Sequence, residues 1–146
     1  MTSGNLVRTE VFSKVGFFPE AFFMDCVDHE FCLRLRSNGY RIIEVSDALL
    51  VHSLGHMTLH RAFGRTFKAF NHSPLRRYYN ARNRIFVYRR YGLKFPRWML
   101  KDLMNFVREL TGILFFEAES RAKMGAVIGG IIDGFLGKTG KYGGRF

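Results

Sequence analysis

The sequence predicts an α/β domain followed by amphipathic helices. Three observations predict it. A run rich in β-branched and aromatic residues at 40–45 and an apolar run at 48–52 follow a stretch with helical spacing. From Pro74 onward helical periodicity dominates, with stretches separated by glycine and proline. The charge also divides the chain: residues 1–60 carry five Lys/Arg and seven Asp/Glu, whereas 61–146 carry eighteen and five.

The 146 residues are 47% hydrophobic, enough for one modest domain with a core and too apolar for a disordered tail. The first residues have neither the basic region nor the apolar core of a signal peptide. No run reaches the roughly 18 apolar residues of a spanning helix. Cys26 and Cys32 lie six apart on one element, with no metal-type cysteine pattern, and are read as buried thiols in a reducing compartment. Net charge is +11, and between Arg61 and Lys101 twelve bases occur without an acid. A stretch of one sign predicts an anionic neighbour: nucleic acid, phosphate groups or anionic lipid.

In order, residues 3–9 read as a strand leaving a glycine turn, and Glu10 to Val15 as a short helix or turn. Gly16 to Glu20 is a loop, punctuated by glycine and proline. Phe22-Phe23 leads into Met24-Asp25-Cys26-Val27-Asp28-His29-Glu30, where a helix begins. Val27, Phe31 and Leu35 recur every four residues, Arg34 and Arg36 fill the last turn, and Asn38-Gly39 supplies the stop. Acids at the start and bases at the end suit the helix dipole, which is the bland account of Asp28 and Glu30. The apolar approach adds to it, because an aspartate beside apolar walls at a helix start is a candidate general base.

Strands are expected at 40–45 and 48–52, with a turn at Ser46-Asp47. His52 then stands at a strand end beside a glycine turn, placed to enter a site at the strand's carboxyl edge. His52, His56 and His60 are spaced by four, but Gly55 interrupts any helix there, so the trio is not read as a metal site. The run from Arg76 to Tyr91 alternates bases with aromatics and fits a helix ending at Gly92. A second helix spans 98–117, amphipathic and interrupted by charge, long enough to lie along a membrane surface. Residues 121–137 carry two G-x-x-x-G spacings, which permit close helix contact. Gly137-Lys138-Thr139 lacks the upstream glycine of a phosphate loop, and 138–146 is expected to be a flexible tail. The expected organisation is thus 1–73, 74–137 and 138–146.

Several of these runs together resemble a known family. Ser3-Gly4-Asn5-Leu6, Val15-Gly16-Phe17-Phe18-Pro19-Glu20-Ala21-Phe22-Phe23-Met24-Asp25, Val27-Asp28-x-Glu30-Phe31-Cys32-Leu33-Arg34, Gly39-Tyr40 and His52-Ser53-Leu54-Gly55 look like the C-terminal half of a family 2 glycosyltransferase, of the rhamnosyltransferase-like subgroup. Arg76-Arg77-Tyr78-Tyr79-x-x-Arg82-Asn83 is similar to the helix that follows the catalytic domain there. The resemblance covers about 2–92.

It implies part of a GT-A fold: a short mixed sheet with helices, followed by C-terminal amphipathic helices. It implies inverting transfer of a sugar, such as rhamnose from dTDP-rhamnose, to a glycan or lipid-linked acceptor in bacterial surface polysaccharide synthesis. By alignment Asp28 is the catalytic base. Glu30 orients the acceptor or supports the helix start, and Ser3, Gly4 and Asp25 belong to the acceptor side. His52 matches a late histidine that ligates a divalent metal, Mg²⁺ or Mn²⁺, or approaches the donor diphosphate. Arg76, Arg77 and Arg82 are candidates for phosphate or lipid contact. The usual first acid of the family's motif is replaced by Val27. The nucleotide-binding half, with its Asp-x-Asp, is not matched, so the chain is expected to be a fragment, inactive without a separate N-terminal half. A cytoplasmic position at the inner membrane face follows from lipid-linked acceptors. The alternative is a basic membrane-surface or nucleic-acid-binding module; no nucleic-acid-binding motif stands in the sequence, and nucleic acid is not the expected partner.

Overall fold

The computed structural model describes residues 4–51, 58–62 and 65–144 and is mostly helical. Helix α1, Thr9–Val15, has Glu10 in its first turn and Lys14 in its last, and it ends at Gly16 with φ +83°. Phe12 stacks on Phe17 and Phe31, with ring centroids 5.3 and 5.4 Å apart, which docks α1 on the next helix. A single 3₁₀ turn, Glu20–Phe22, leads towards α2, Val27–Ser37. Beyond it β1, Thr58–Ala62, and β2, Arg65–Ala69, pair antiparallel with Thr58 opposite Ala69.

Three long helices complete the chain: α3, Pro74–Tyr91; α4, Pro96–Phe116; and α5, Ser120–Phe135. Proline begins both α3 and α4, where its missing N–H costs nothing and its fixed φ is already helical. Ser73 caps α3 by accepting from the Arg76 N–H at 3.3 Å. One apolar cluster, Phe22, Cys26, Leu33, Val87 and Tyr91, joins α2 to α3. A second, Ala81, Phe106, Ile113 and Val127, joins α3, α4 and α5.

The α3–α5 pair is the closest. A Cβ added at Gly130 would collide with the Tyr78 carbonyl oxygen, and one at Gly134 would lie 2.8 Å from the Arg82 carbonyl oxygen. The G-x-x-x-G spacing thus works as a groove for the α3 backbone. Arg89 donates to the Gly134 and Phe135 carbonyls at 3.4 and 3.2 Å and so satisfies the open end of α5.

Three expectations need correction. The strands expected at 40–45 and 48–52 do not form in the described part, 40–51, and most of 3–9 is irregular or already in α1. Ile43, Leu49 and Val51 are exposed there. A β-branched run becomes a strand only when a neighbour pairs its backbone and covers a face, and no described segment does so. The expected short mixed sheet is therefore replaced, among the described residues, by a two-stranded antiparallel pair, 58–62 with 65–69, a region with no strand expectation. The tail is docked rather than free through residue 142: the Gly140 N–H donates to the Ala21 carbonyl at 2.9 Å, and Tyr142 packs on Tyr78 with centroids 4.4 Å apart. The helices after Pro74 agree with their expected spans to within two residues.

The α5 glycines differ in a way that can be measured. Gly130→Ala forces α3 and α5 apart and should cost about 2–3 kcal/mol of unfolding free energy. Gly125 has nothing within 4 Å of an added Cβ, so Gly125→Ala should stabilise by about 0.5–1 kcal/mol. Urea denaturation that ranked the two variants the other way would contradict this packing.

Candidate active site

The residues around Asp28 are presented by a strained approach. Phe23, Asp25 and Cys26 all have positive φ, at 62°, 58° and 59°. None is glycine, and each such conformation costs on the order of 1–2 kcal/mol unless the surroundings impose it. At Phe23, with ψ −56°, the chain makes a tight γ-turn in which the Met24 N–H donates to the Phe22 carbonyl at 2.7 Å.

Helix α3 imposes this conformation. Asn83 is fully buried, and its Nδ2 donates to the carbonyls of Phe22, Met24 and Asp25 at 2.9, 2.6 and 3.1 Å. Arg82, 1% exposed, donates through Nη2 to the Ala21 and Phe22 carbonyls and through Nη1 to the Gly140 carbonyl at 2.7 Å. Its Nε donates to Asn83 Oδ1 at 3.1 Å, which orients the amide. The guanidinium lies over the Tyr79 ring, 4.8 Å from its centroid. About two turns earlier Arg76 forks onto Asp25, Nε to Oδ2 and Nη2 to Oδ1, each at 3.1 Å.

The acids consequently differ in their surroundings. Asp25 is tied to Arg76 at the surface. Glu30, 2% exposed, faces inward: its Oε1 accepts from Tyr91 Oη at 2.8 Å, and its Oε2 pairs with Arg34 at 3.1 Å. Burial and then the bond to Glu30 push the Tyr91 phenol up to about 12. Arg34 spans on to the Val15 and Phe17 carbonyls, joining α1 to α2. Glu30 therefore supports the helix start from below. Asp28 stands half-buried in the first turn of α2, where the helix dipole favours negative charge. Cys26 is buried, and burial pushes its thiol up to about 12, so it packs as a neutral group.

Gly4 has φ +75° and lies beside Leu50, whose Cδ2 would sit 3.2 Å from an added Cβ. Ser3 and His52 lie outside the described residues. Among the described residues no group of three or more His, Cys, Asp or Glu is arranged to hold a metal. An open groove of about 590 Å³ begins at His29, the residue after Asp28, and is walled by Trp98, Tyr40, Arg36, Arg41 and Ile42.

Three of the six arginines of α3, Arg77, Arg82 and Arg84, are directed inward. Arg77, 4% exposed, meets Glu117 Oε1 at 2.6 Å, and Lys123 meets Oε2 at 2.9 Å. Burial alone would push the Glu117 carboxyl up, yet the bond from Lys123, the Arg77 charge and the Asn71 N–H hold it below its ordinary value. Arg84 pairs with Asp102 at 2.9 Å and Glu109 at 3.5 Å and covers the Phe106 ring. Arg77 and Arg82 thus have partners inside the protein, and Arg76 has one at its edge. Asn83, Tyr91 and Glu117 were not singled out by sequence reasoning as parts of the site's support. The available signal was an acid-free helix of six arginines, which needs acceptors from elsewhere in the chain.

The described geometry defines a class no narrower than a helical scaffold that presents an aspartate at a helix start. Comparison adds one relative. The chain is 32% identical over 149 aligned positions to the dTDP-rhamnosyl transferase RfbF of Shigella flexneri. The alignment covers all of this chain and 47% of that protein, so the chain spans about half the length of the curated relative it matches. No family model matches, and no solved structure matches.

Two measurements test the support of the site. Asn83→Ala leaves the Met24 and Asp25 carbonyls without their donor and should lower stability by about 2–3 kcal/mol in chemical denaturation; a change under about 0.5 kcal/mol would show that the turn holds itself. Glu117 has a depressed folded-state pKa, so its contribution is full above the ordinary carboxylate range and is lost as pH falls through its lowered value. The stability gap between the wild type and Glu117→Gln should therefore be widest near neutrality and narrow in acid. A gap independent of pH would contradict the ionised cluster.

Proposed function

We propose that this chain is the acceptor-side part of an inverting glycosyltransferase with a partial GT-A arrangement. The donor would be a nucleotide-sugar, dTDP-rhamnose by likeness to the relative, and the acceptor a glycan or a lipid-linked sugar. The observation that carries this reading is the likeness to the rhamnosyl transferase, which extends across every part of the chain. The geometry supports it by fixing the strained approach, Phe23 to Cys26, from α3, so that the helix start that bears Asp28 directly after it is held, as expected where a reacting group must be fixed.

In this mechanism Asp28 takes the proton from the acceptor hydroxyl as its oxygen attacks the anomeric carbon. The new C–O bond forms on the face opposite the departing nucleoside diphosphate, which inverts the centre. The proton transfer is worth roughly 10²–10⁴ in rate. Tyr91 and Arg34 fix Glu30, and Glu30 fixes the turn that bears Asp28. The described residues do not fit a metal cage, because Asp25 and Glu30 already have cationic or phenolic partners. The divalent ion therefore belongs in this reading with the donor, on a separate nucleotide-binding half. The run 40–51, rich in β-branched residues and exposed, is the segment suited to pair with that half.

With the enzyme assembled from both halves, Asp28→Asn should reduce rhamnosyl transfer by 10²- to 10⁴-fold at unchanged helical content. Retained turnover would remove Asp28 from the base role. Titration of this chain alone with dTDP-rhamnose and Mg²⁺ should show no micromolar binding, and micromolar binding would place the donor site here instead.

A further inference from the structure

Helix α4 has two apolar faces, and the fold uses one. Its inner face supplies Phe106 and Ile113 to the core. Its two central acids also turn inward: Asp102 meets Arg84 and accepts from Tyr88 Oη at 2.6 Å, and Glu109 meets Arg84. The outer face carries Leu100, Leu103, Met104, Val107, Leu114 and Phe115, all between 42% and 76% exposed. At about 100° per residue they fall within an arc of about 120°, extending about 22 Å along the axis. Thr111 lies in the same arc, and its hydroxyl donates to the Arg108 carbonyl at 2.8 Å, so it turns back to its own helix.

One edge of this stripe is a ridge of cations. Arg97, Lys101 and Arg108 are exposed, and none has a carboxylate partner among the described residues. Both carboxylates that could neutralise the ridge, Asp102 and Glu109, are held by Arg84 on the opposite side. An apolar stripe beside an uncompensated cationic edge is complementary to the headgroup and acyl boundary of an anionic bilayer. Among the described residues no helix is long and apolar enough to cross a membrane, so α4 fits the surface plane.

We propose that the outer face of α4 is a docking surface for a bilayer bearing anionic headgroups. Leu103, Val107 and Leu114 enter the acyl boundary, and Arg97, Lys101 and Arg108 meet phosphates. The surface goes beyond the transferase reading and does not depend on it, because vesicle binding needs no turnover.

Flotation of the full chain with vesicles of phosphatidylcholine and phosphatidylglycerol at 3:1 tests it. Binding is expected, weakened by salt and at least tenfold weaker on phosphatidylcholine alone. Leu103→Glu with Val107→Glu should weaken binding at least tenfold at unchanged helical content. Neutralising the ridge with Arg97→Gln, Lys101→Gln and Arg108→Gln should cost about fivefold per cation, hence roughly 100-fold together. That triple variant decides the matter if the glutamate pair fails to fold. Absence of binding to the anionic vesicles, or unchanged binding by the ridge variant, would overturn the proposal. So would sedimentation equilibrium showing a dimer that the glutamate pair dissociates, since the face would then belong to a second copy.

Discussion

Asn83 and Arg82 between them donate to four carbonyls of the segment 21–25, and the candidate site depends on those bonds. A γ-turn at Phe23 and left-handed conformations at Asp25 and Cys26 do not persist in an isolated peptide, because each is disfavoured locally. They persist here because α3 offers donors that the chain can satisfy only in that shape. Helix α3 is itself pinned by α5 through Gly130 and Gly134, and by the tail through Gly140. Asp28 is thus positioned by residues more than 50 positions away, and a packing fault at α5 reaches the site through α3 without touching it.

The same helix accounts for much of the charge pattern. Its six arginines look like a basic face, yet five of them meet carboxylates or backbone carbonyls through guanidinium geometry suited to bidentate and branched bonding: Arg76, Arg77, Arg82, Arg84 and Arg89. Removing one anionic partner, such as Glu117, leaves buried charge uncompensated, which is more costly than the pair is stabilising. Exposed positive charge on α3 is left towards its two ends, at Arg76, Arg89 and Arg90. On α4 it remains at Arg97, Lys101 and Arg108, because that helix spends its acids on Arg84.

Much of the helical structure was legible. Pro74 and the glycines at 39 and 92 mark ends whose physics is local, and the apolar spacing of α2 and α4 is a property of single helices. What was not legible depended on partners distant in sequence. The inward direction of Arg77 and Arg82 follows from Glu117 and from carbonyls at 21, 22 and 140, none of which their own neighbourhood announces. For Glu30 two roles stood open, acceptor contact or support of the helix start, and its buried bond to Tyr91, 61 residues on, is a partner that its own neighbourhood does not announce. The positive φ at Phe23 and Cys26 has no sequence signal, since neither residue type favours it.

The segment 40–51 shows the limit from the other side. Its Ile, Val and Leu content states a preference for a pleated surface covered on at least one face. The described structure supplies no such surface, and side chains including Ile43, Leu49 and Val51 meet solvent. Among the described residues Gly4 approaches this run at Leu50, and no strand pairing is made there. A sequence preference left unmet is informative, because apolar exposure on this scale is costly in water and is relieved by pairing with another segment. In the proposed enzyme that segment is the donor-binding half, which would cover the run and close the site from the side opposite α3. The two halves would then have separate tasks: α3 would fix the proposed base through Asn83, and the covering half would bring the sugar to it.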